Sequence, residues 1–245
     1  MQSEFPKPPP ATPKPGSLAD LPVLLRGEVG PIRAWLEASD GARWIVCLGV
    51  ILVGTALFGA AVGLWRDPHQ AAYTAIKFPL IILLTTLGTG LLNAMLAPLL
   101  GLNLSLRQSL LAVLLSFTIA GAILGASSPL IYFLVWNTPP LVPNGRGATS
   151  AHSLLLVSQT VAIAFAGGSA NLRLLQLLRA LAGSREVALR VLFAWLGANL
   201  LLGSQLAWIL RPFVGSPALP VEFLRKDAFV GSFYESLFHA FNHVF

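Results

Sequence analysis

Two histidines near the end of the chain have the spacing of a metal-binding helix. His239 and His243 stand four residues apart, so one helical face can bring both imidazoles to the same ion. Glu235 lies about 12 Å from His243 along such a helix, at 1.5 Å per residue, which is too far to join them. Two ligands leave a metal site incomplete. The pattern therefore favours a solvated polar face, and we expect no cofactor.

No other combination of residue types indicates catalysis. The sequence lacks a Ser-His-Asp order, an HExxH pair, a P-loop and the glycine pattern of a dinucleotide-binding fold. His69 near Asp67, and His152 near Ser150 and Ser153, are typical of loop residues. The sequence therefore predicts a protein that is not an enzyme.

The composition is that of a membrane protein. Hydrophobic residues make up 55% of the chain and charged residues only 11%, whereas a soluble domain carries about 25% charged residues. The net charge of +6 is explained by membrane topology and contact with lipid headgroups, and we expect no nucleic-acid partner. The remaining question is how many times the chain crosses the bilayer.

Five apolar runs are long enough to cross as helices, which requires about 20 residues each. They cover residues 44–65, 78–100, 109–136, 153–172 and 191–210. The third run is unusually long, and Ser127-Ser128-Pro129 predicts a kink or the end of its membrane portion. The predicted fold class is all-α, a polytopic membrane helix bundle of about five transmembrane helices, with short amphipathic interfacial helices at both ends.

The segments around this 44–210 membrane domain differ in character. Residues 1–16 form a Pro-rich arm that is expected to stay extended. Residues 17–43 contain two amphipathic pieces separated by Gly30-Pro31, which suit the membrane surface. A solvated linker is the alternative for this stretch. Residues 211–245 form a turn segment followed by an amphipathic helix.

The distribution of Lys and Arg predicts the orientation. Ten of these residues fall on the side of the N-terminus and six on the other, which favours a cytoplasmic N-terminus and an external C-terminus. Gly183-Ser184 predicts a helical hairpin between the fourth and fifth spans. We expect its arginines to contact anionic headgroups; they are Arg173, Arg179, Arg185 and Arg190.

The centres of the predicted spans contain no Asp, Glu, Lys, Arg or His, which argues against ion-coupled transport. Their polar residues are uncharged, and they include Thr86, Thr89, Asn93, Gln159, Asn199 and Gln205. Interhelical hydrogen bonds worth about 0.6 kcal/mol each would account for these side chains. The alternative is that Thr86, Thr89 and Asn93, which share one helix face, line a path for a substrate.

The last part of the chain predicts a docking segment. Pro212 ends the fifth span, and the S-x-x-E sequence from Ser232 to Glu235 predicts a helix that begins at Phe233. At 13 residues this helix is about 20 Å long and too short to cross a bilayer. Its polar face has no Lys or Arg, which favours a partner protein or a second copy over anionic lipid. The predicted docking residues are Arg211, Pro212, Phe213, Phe233, Tyr234, Leu237, Phe238 and Phe241.

Two stretches of the chain carry a resemblance to a known family. The first comprises Ala75-Ile-Lys77-Phe-Pro79-Leu and Leu100-Gly-x-x-Leu-Ser105-x-Arg107-Gln108, and the second GSQLAWILRPFVGSPALPVEFLR followed by SFYE. Together they resemble an uncharacterised family of bacterial multi-span membrane proteins that end in LRPF-x-GSP…FYE, distantly like the Yip family. The Asp-Leu-x-Gly-Pro motif of eukaryotic Yip proteins is missing, so the resemblance does not imply vesicle trafficking. It implies a bacterial membrane protein of about five helices, with no known activity, cofactor or catalytic residue. In a bacterial inner membrane, the orientation predicted from Lys and Arg would place the C-terminus in the periplasm.

These observations favour a non-enzymatic membrane scaffold or accessory subunit. Its expected partners are membrane lipids and either another membrane protein or further copies of itself. The alternative is a passive channel or a carrier of lipids or small solutes.

Overall fold

The computed structural model describes residues 41–139, 148–215 and 220–235, with residues 148–150 described by backbone alone. Within these ranges the chain is all-helical and has five long helices, each apolar enough to cross a membrane. They are α1 (Ala42–Gly63), α2 (Pro68–Leu99), α3 (Leu106–Asn137), α4 (Ala148–Ala182) and α5 (Arg185–Leu210). The predicted fold class is confirmed, and the chain is a multi-pass membrane protein. The predicted arm and amphipathic pieces before residue 41, and residues 236–245, lie outside the described residues.

Four of the helices close a ring. α2 contacts α3, α3 contacts α4, α4 contacts α5, and α5 returns to α2, while α1 packs against α2 and α3. Trp65 at the end of α1 donates to the Pro139 carbonyl and its ring lies 6.0 Å from the ring of His152. The starts of α2 and α4 and the ends of α1, α3 and α5 therefore share one end of the bundle, here called the C-terminal end. The opposite end is called the basic end.

Glycines allow α1 to approach its neighbours closely. A Cβ added to Gly54 would lie 2.2 Å from the Gly121 carbonyl oxygen, and one added to Gly125 would lie 2.8 Å from the Gly54 Cα. On the α2 side, a Cβ at Gly59 would lie 2.4 Å from the Thr74 carbonyl oxygen. Side chains at these positions would force the backbones apart, as expected for small-residue helix contacts in membranes.

α2 begins ten residues earlier than the apolar run predicted. Pro68 occupies the first helical position, and the Asp67 side chain caps the helix by accepting a 2.7 Å hydrogen bond from the His69 backbone N–H. That hydrogen bond lowers the pKa of Asp67. Lys77 is consequently inside the helix, one residue before the predicted apolar run 78–100 begins.

α3 continues through Pro129 to Asn137, one residue past the end of the predicted run 109–136. Ser127 and Ser128 donate their hydroxyls to the carbonyls of Ile123 and Leu124, on the turn that precedes the proline. Membrane helices tolerate proline because side-chain hydroxyls and neighbouring helices satisfy the backbone groups that it leaves free. The membrane portion therefore does not require an end at this point.

α4 extends from Ala148 to Ala182, well beyond the predicted 153–172. Gly183 has φ +64°, and its N–H donates to the Arg179 carbonyl 3.2 Å away, so it ends the helix in a left-handed conformation that favours glycine. Ser184 then precedes the first residue of α5. The predicted hairpin at Gly183-Ser184 is thus the direct junction of two long helices.

Candidate functional site

Three polar side chains line one face of α2 near its start. Gln70, Thr74 and Lys77 stand at positions i, i+4 and i+7, which share a face of a helix. All three are fully buried at 0% exposure. We call them the α2 clasp. A buried ammonium and two buried neutral polar groups must find partners, since each would otherwise be costly to desolvate.

The clasp binds the two backbone carbonyls that follow α5. The Gln70 amide nitrogen donates to the carbonyl oxygens of Pro212 and Phe213, each 2.9 Å away. The Lys77 ammonium donates to Pro212 at 3.1 Å, and the Thr74 hydroxyl lies 2.9 Å from the Phe213 oxygen. These carbonyls lie just after the end of α5 at Leu210, where no intrahelical donor remains for them. The clasp thus fixes the direction in which the chain leaves α5.

Aromatic rings reinforce this attachment. The Phe213 ring packs edge-on against Phe78, with centroids 5.3 Å apart, and Phe223 packs similarly against Tyr73 at 5.5 Å. The Lys77 ammonium lies 5.3 Å from the centre of the Phe223 ring. An ammonium over an aromatic face is attracted by the ring electrons, so Phe223 helps to hold the buried charge.

The segment beyond the clasp is also held by α5. The Tyr234 hydroxyl contacts the Ser204 hydroxyl and lies 2.8 Å from the Leu201 carbonyl oxygen, to which it can donate. The Gln205 side-chain oxygen accepts from the Phe233 N–H at 3.3 Å. Residues 220–235 are therefore fixed to the bundle at both ends, and we call them the platform.

Ion pairing and a cap complete the platform. Arg211 stacks on the Trp208 ring at 3.6 Å and pairs with Asp227 at 3.4 Å. The Ser232 hydroxyl accepts from the Glu235 N–H at 3.1 Å, which confirms the predicted start of a helix at Phe233. Of the predicted docking residues, the five described ones thus contact their own chain, and Leu237, Phe238 and Phe241 lie outside the described residues. Docking to a partner stays a prediction.

One turn of the platform exposes two apolar side chains. Phe229 is 76% exposed and Val230 is 70% exposed at the tip of a turn, which is closed by a 3.0 Å hydrogen bond from Val230 N–H to the Asp227 carbonyl. Ala228, which precedes Phe229, is fully buried and anchors the turn. Two large apolar side chains are thus presented at a fixed position on the C-terminal end.

A second polar feature joins α2 to α5. The Thr89 hydroxyl lies 2.6 Å from the Asn199 side-chain oxygen and 2.7 Å from the Thr85 carbonyl oxygen, and its one proton can be donated to either. Trp195 donates its indole N–H to the Asn93 carbonyl at 3.2 Å. A Cβ at Gly203 would lie 3.6 Å from the Thr85 hydroxyl oxygen. The contacting positions are four residues apart on each helix, and their order along α2 is the reverse of their order along α5. The two helices therefore meet along one antiparallel contact, here called the seam.

The seam leaves hydrogen-bonding groups without partners among the described residues. Asn93 is fully buried, yet neither its side-chain oxygen nor its side-chain nitrogen has a partner, and the Thr85 hydroxyl lacks one too. Thr86 donates to the Ile82 carbonyl of its own helix, while Gln159 on α4 keeps an unpartnered side-chain oxygen. The predicted polar residues are therefore divided between α2–α5 contacts, the platform and α4, and they do not form one lining.

Replacing Asn93 by Leu should leave stability unchanged or raise it. The side chain makes no hydrogen bond that would be lost, and burying an unpaired amide is costly. Thr89→Val, in contrast, removes the hydroxyl and its hydrogen bond, and should cost about 0.6 kcal/mol. Unfolding titrations of both variants in mixed micelles measure the difference. A larger loss for Asn93→Leu than for Thr89→Val would show that Asn93 has a bound partner.

The basic end is strongly positive. Among the described residues it has six arginines and one carboxylate, Glu186, whereas the C-terminal end has five cations and four carboxylates. The arginines are Arg43, Arg107, Arg173, Arg179, Arg185 and Arg190. Arg190 pairs with Glu186, and Arg173 donates to the neutral Gln176 side chain at 3.1 Å. The four predicted headgroup residues thus lie at one end of the bundle.

Sequence reasoning missed the α2 clasp. The helical spacing of Gln70, Thr74 and Lys77 after the helix start at Asp67-Pro68 could have indicated a polar helix face. These residues lay outside the predicted apolar run 78–100, so they were not considered as part of a span. For a metal, the described residues offer no group of three His, Cys, Asp or Glu. His239 and His243 lie outside the described residues.

Comparison with known protein families, curated proteins and solved structures found no match to this chain. The Yip-like resemblance therefore stays a prediction.

Proposed function

We propose that the protein is a non-enzymatic scaffold or accessory subunit that presents the platform to another membrane protein. The observation that supports this proposal most directly is the way residues 220–235 are attached. Hydrogen bonds from the α2 clasp hold the path into the platform, and Tyr234 and Gln205 hold its far end on α5. The exposed side chains of Phe229 and Val230 take no part in this attachment.

Such an attachment favours protein docking for a thermodynamic reason. Ordering a loop on binding costs about 0.5–1.5 kcal/mol for each immobilised side chain, and this cost falls when the loop is already fixed. Phe229 and Val230 are exposed at the tip of the turn, with Lys226 and Asp227 beside them. An apolar centre with a charged rim is the usual composition of an interface between proteins.

The proposal predicts a partner that depends on the platform tip. Native mass spectrometry of the protein, purified gently from its own membranes, should show a second polypeptide at fixed stoichiometry. Phe229→Ala with Val230→Ala should lower its occupancy at least about tenfold, as expected for apolar anchors at the centre of an interface. Phe193→Ala is the matched control, because Phe193 is 65% exposed on α5 and away from the platform. Equal occupancy in both variants, or no second polypeptide, would contradict the proposal.

A passive channel or carrier is the second candidate, and its support is the unpartnered amide of Asn93. The fully buried stripe that contains Thr89 and Asn93 packs against α5, which favours a structural use of these residues. Flux of small neutral solutes into proteoliposomes separates the two candidates. A carrier should lose flux on Asn93→Leu while its assembly stays intact, whereas a scaffold should show no flux above protein-free vesicles.

For orientation we propose that the basic end faces the cytoplasm of a bacterial inner membrane. The excess of arginine there agrees with the positive-inside tendency of membrane proteins. The platform would then lie on the periplasmic side. Labelling a cysteine introduced at Lys226, which is exposed, with a membrane-impermeant maleimide in intact spheroplasts tests this orientation.

A further inference from the structure

The charged residues around α5 indicate where the hydrocarbon core of the bilayer lies. Arg190 and Arg211 enclose twenty residues without a charge. Twenty helical residues are about 30 Å long, which is the thickness of a hydrocarbon core. Trp208 stacks against the Arg211 guanidinium one turn inside this limit, and tryptophan is enriched where acyl chains meet headgroups. We therefore place the membrane boundary of the C-terminal end at Arg211.

The chain is at the boundary again at two later points. A Cβ added to Gly215 would lie 2.7 Å from the Arg66 Cγ, and Arg66 is the first charged residue after the apolar run of α1. Asp227 then forms an ion pair with Arg211 at 3.4 Å. The platform is thus held at the boundary at Asp227, and the path of the residues that follow decides whether it stays there.

Beyond Asp227 the platform runs back along α5 toward the membrane interior. The Phe233 N–H donates to the Gln205 side-chain oxygen at 3.3 Å, and the Tyr234 hydroxyl lies 2.8 Å from the Leu201 carbonyl oxygen. Gln205 and Leu201 precede Arg211 by six and ten residues, so they lie about 9 and 15 Å inside the boundary. The Gln205 and Tyr234 side chains bridge part of this distance, which leaves the platform backbone about 5–10 Å inside, the depth typical of interfacial segments.

We propose that residues 228–235 are inserted into the bilayer from the C-terminal end, and that Phe229 and Val230 contact the acyl chains of that leaflet. These two side chains are 76% and 70% exposed, and they follow the last ion pair at the boundary. Leu201, whose carbonyl the Tyr234 hydroxyl contacts, is 64% exposed on α5. The exposed apolar side chains of the platform therefore continue the lipid-facing surface of α5.

The polar groups of this segment have the partners that insertion requires, because lipid supplies none. The Val230 N–H donates to the Asp227 carbonyl at 3.0 Å, and the Glu235 N–H donates to the Ser232 hydroxyl at 3.1 Å. The Glu235 carboxylate is turned back toward Gly231, where an added Cβ would lie 3.3 Å from its Oε2. That direction leads back along the segment toward the boundary, so the charge is directed away from the membrane interior.

Insertion does not depend on the proposed scaffold function, because lipid contacts the platform tip whether or not a partner is bound. A partner that does bind there meets Phe229 and Val230 in the plane of the membrane. The two proposals are tested separately, since depth is measured in vesicles that contain this protein alone. Absence of a second polypeptide in native mass spectrometry would contradict the scaffold and leave the depth unchanged.

The test is the depth of a nitroxide spin label at the platform tip. The label is attached to Phe229→Cys in a Cys47→Ser background, and the full-length protein is reconstituted into vesicles of phosphatidylcholine and phosphatidylglycerol. Collisions with oxygen, which concentrates among acyl chains, are compared with collisions with a water-soluble nickel chelate. The Phe229→Cys label should lie about 5–10 Å below the phosphates and collide mainly with oxygen.

Two further labels provide the references. Lys226→Cys is the matched control, because Lys226 is exposed three residues earlier, on the boundary side of Asp227, and its label should collide mainly with the nickel chelate. Leu201→Cys is the reference for a lipid-facing position on α5. Val230→Cys repeats the measurement at a second site on the tip. If either tip label collides with the nickel chelate as often as the Lys226→Cys label, the platform is not inserted.

Discussion

Gly54→Ala should destabilise the protein by about 3 kcal/mol, the upper part of the range for overpacking a tightly packed interior. The added methyl group would lie 2.2 Å from the Gly121 carbonyl oxygen and 2.9 Å from its carbon. Both are backbone atoms, which cannot turn aside as a flexible side chain would, so α1 and α3 must separate. The loss is measured as a change in the free energy of unfolding in mixed micelles.

Gly49 on the same helix provides the control. A Cβ at Gly49 meets no atom within 4 Å. Gly49→Ala should therefore be neutral or stabilising, because Ala is better than Gly in a helix by about 0.8–1.0 kcal/mol. If both substitutions have the same effect, the close contact between α1 and α3 is not a determinant of stability.

Gln70→Leu should have the second largest effect. The substitution removes the amide donor from two carbonyls and replaces it with an apolar group at a fully buried position. Leaving buried acceptors short of donors should cost about 2 kcal/mol. Because the clasp fixes the path into the platform, proteolysis within residues 220–235 should also become faster than in the unaltered protein.

Thr160→Leu is the control substitution at an exposed position of α4, where the hydroxyl bonds only to the Leu156 carbonyl of its own helix. It should change the free energy of unfolding by no more than about 0.5 kcal/mol, and it should leave the rate of proteolysis unchanged. A Gln70→Leu protein that is as stable and as resistant to protease as Thr160→Leu would show that the clasp does not hold the platform.

The number and type of helices could be predicted because each helix contains a long apolar run, and such runs do not depend on distant residues. The start of α2 could not be predicted in the same way. Gln70, Thr74 and Lys77 lower the local hydropathy, and their partners Pro212 and Phe213 are about 140 residues away in sequence. A pattern within one segment gives no indication of such a pairing.

Proline positions alone do not locate the ends of these helices. Pro129 lies inside α3, and Pro79 lies inside α2. In water a proline within a helix costs about 3 kcal/mol. In a bilayer the helix persists, because unwinding would expose further backbone groups to lipid. The kink or end of the membrane portion predicted at Ser127-Ser128-Pro129 therefore stays a prediction, while the helix itself continues through this point.

For the candidate site, the sequence predicted an aromatic C-terminal segment and the start of its helix at Phe233. Residue types alone could not indicate that Tyr234 and Arg211 contact their own bundle, because the same side chains suit a partner equally well. The outward position of Phe229 and Val230 depends on a turn anchored by the buried Ala228. That arrangement follows from the tertiary structure.

The dependence of Lys77 on Pro212 has a consequence for how the protein is made. A ribosome synthesises Lys77 135 residues before the carbonyl that accepts its hydrogen bond. While α3, α4 and α5 are being inserted, this ammonium must extend toward the headgroups, as lysines near helix ends do. We therefore expect its burial to be among the last steps of biogenesis, so that an incompletely synthesised chain carries an exposed cation that the mature protein conceals.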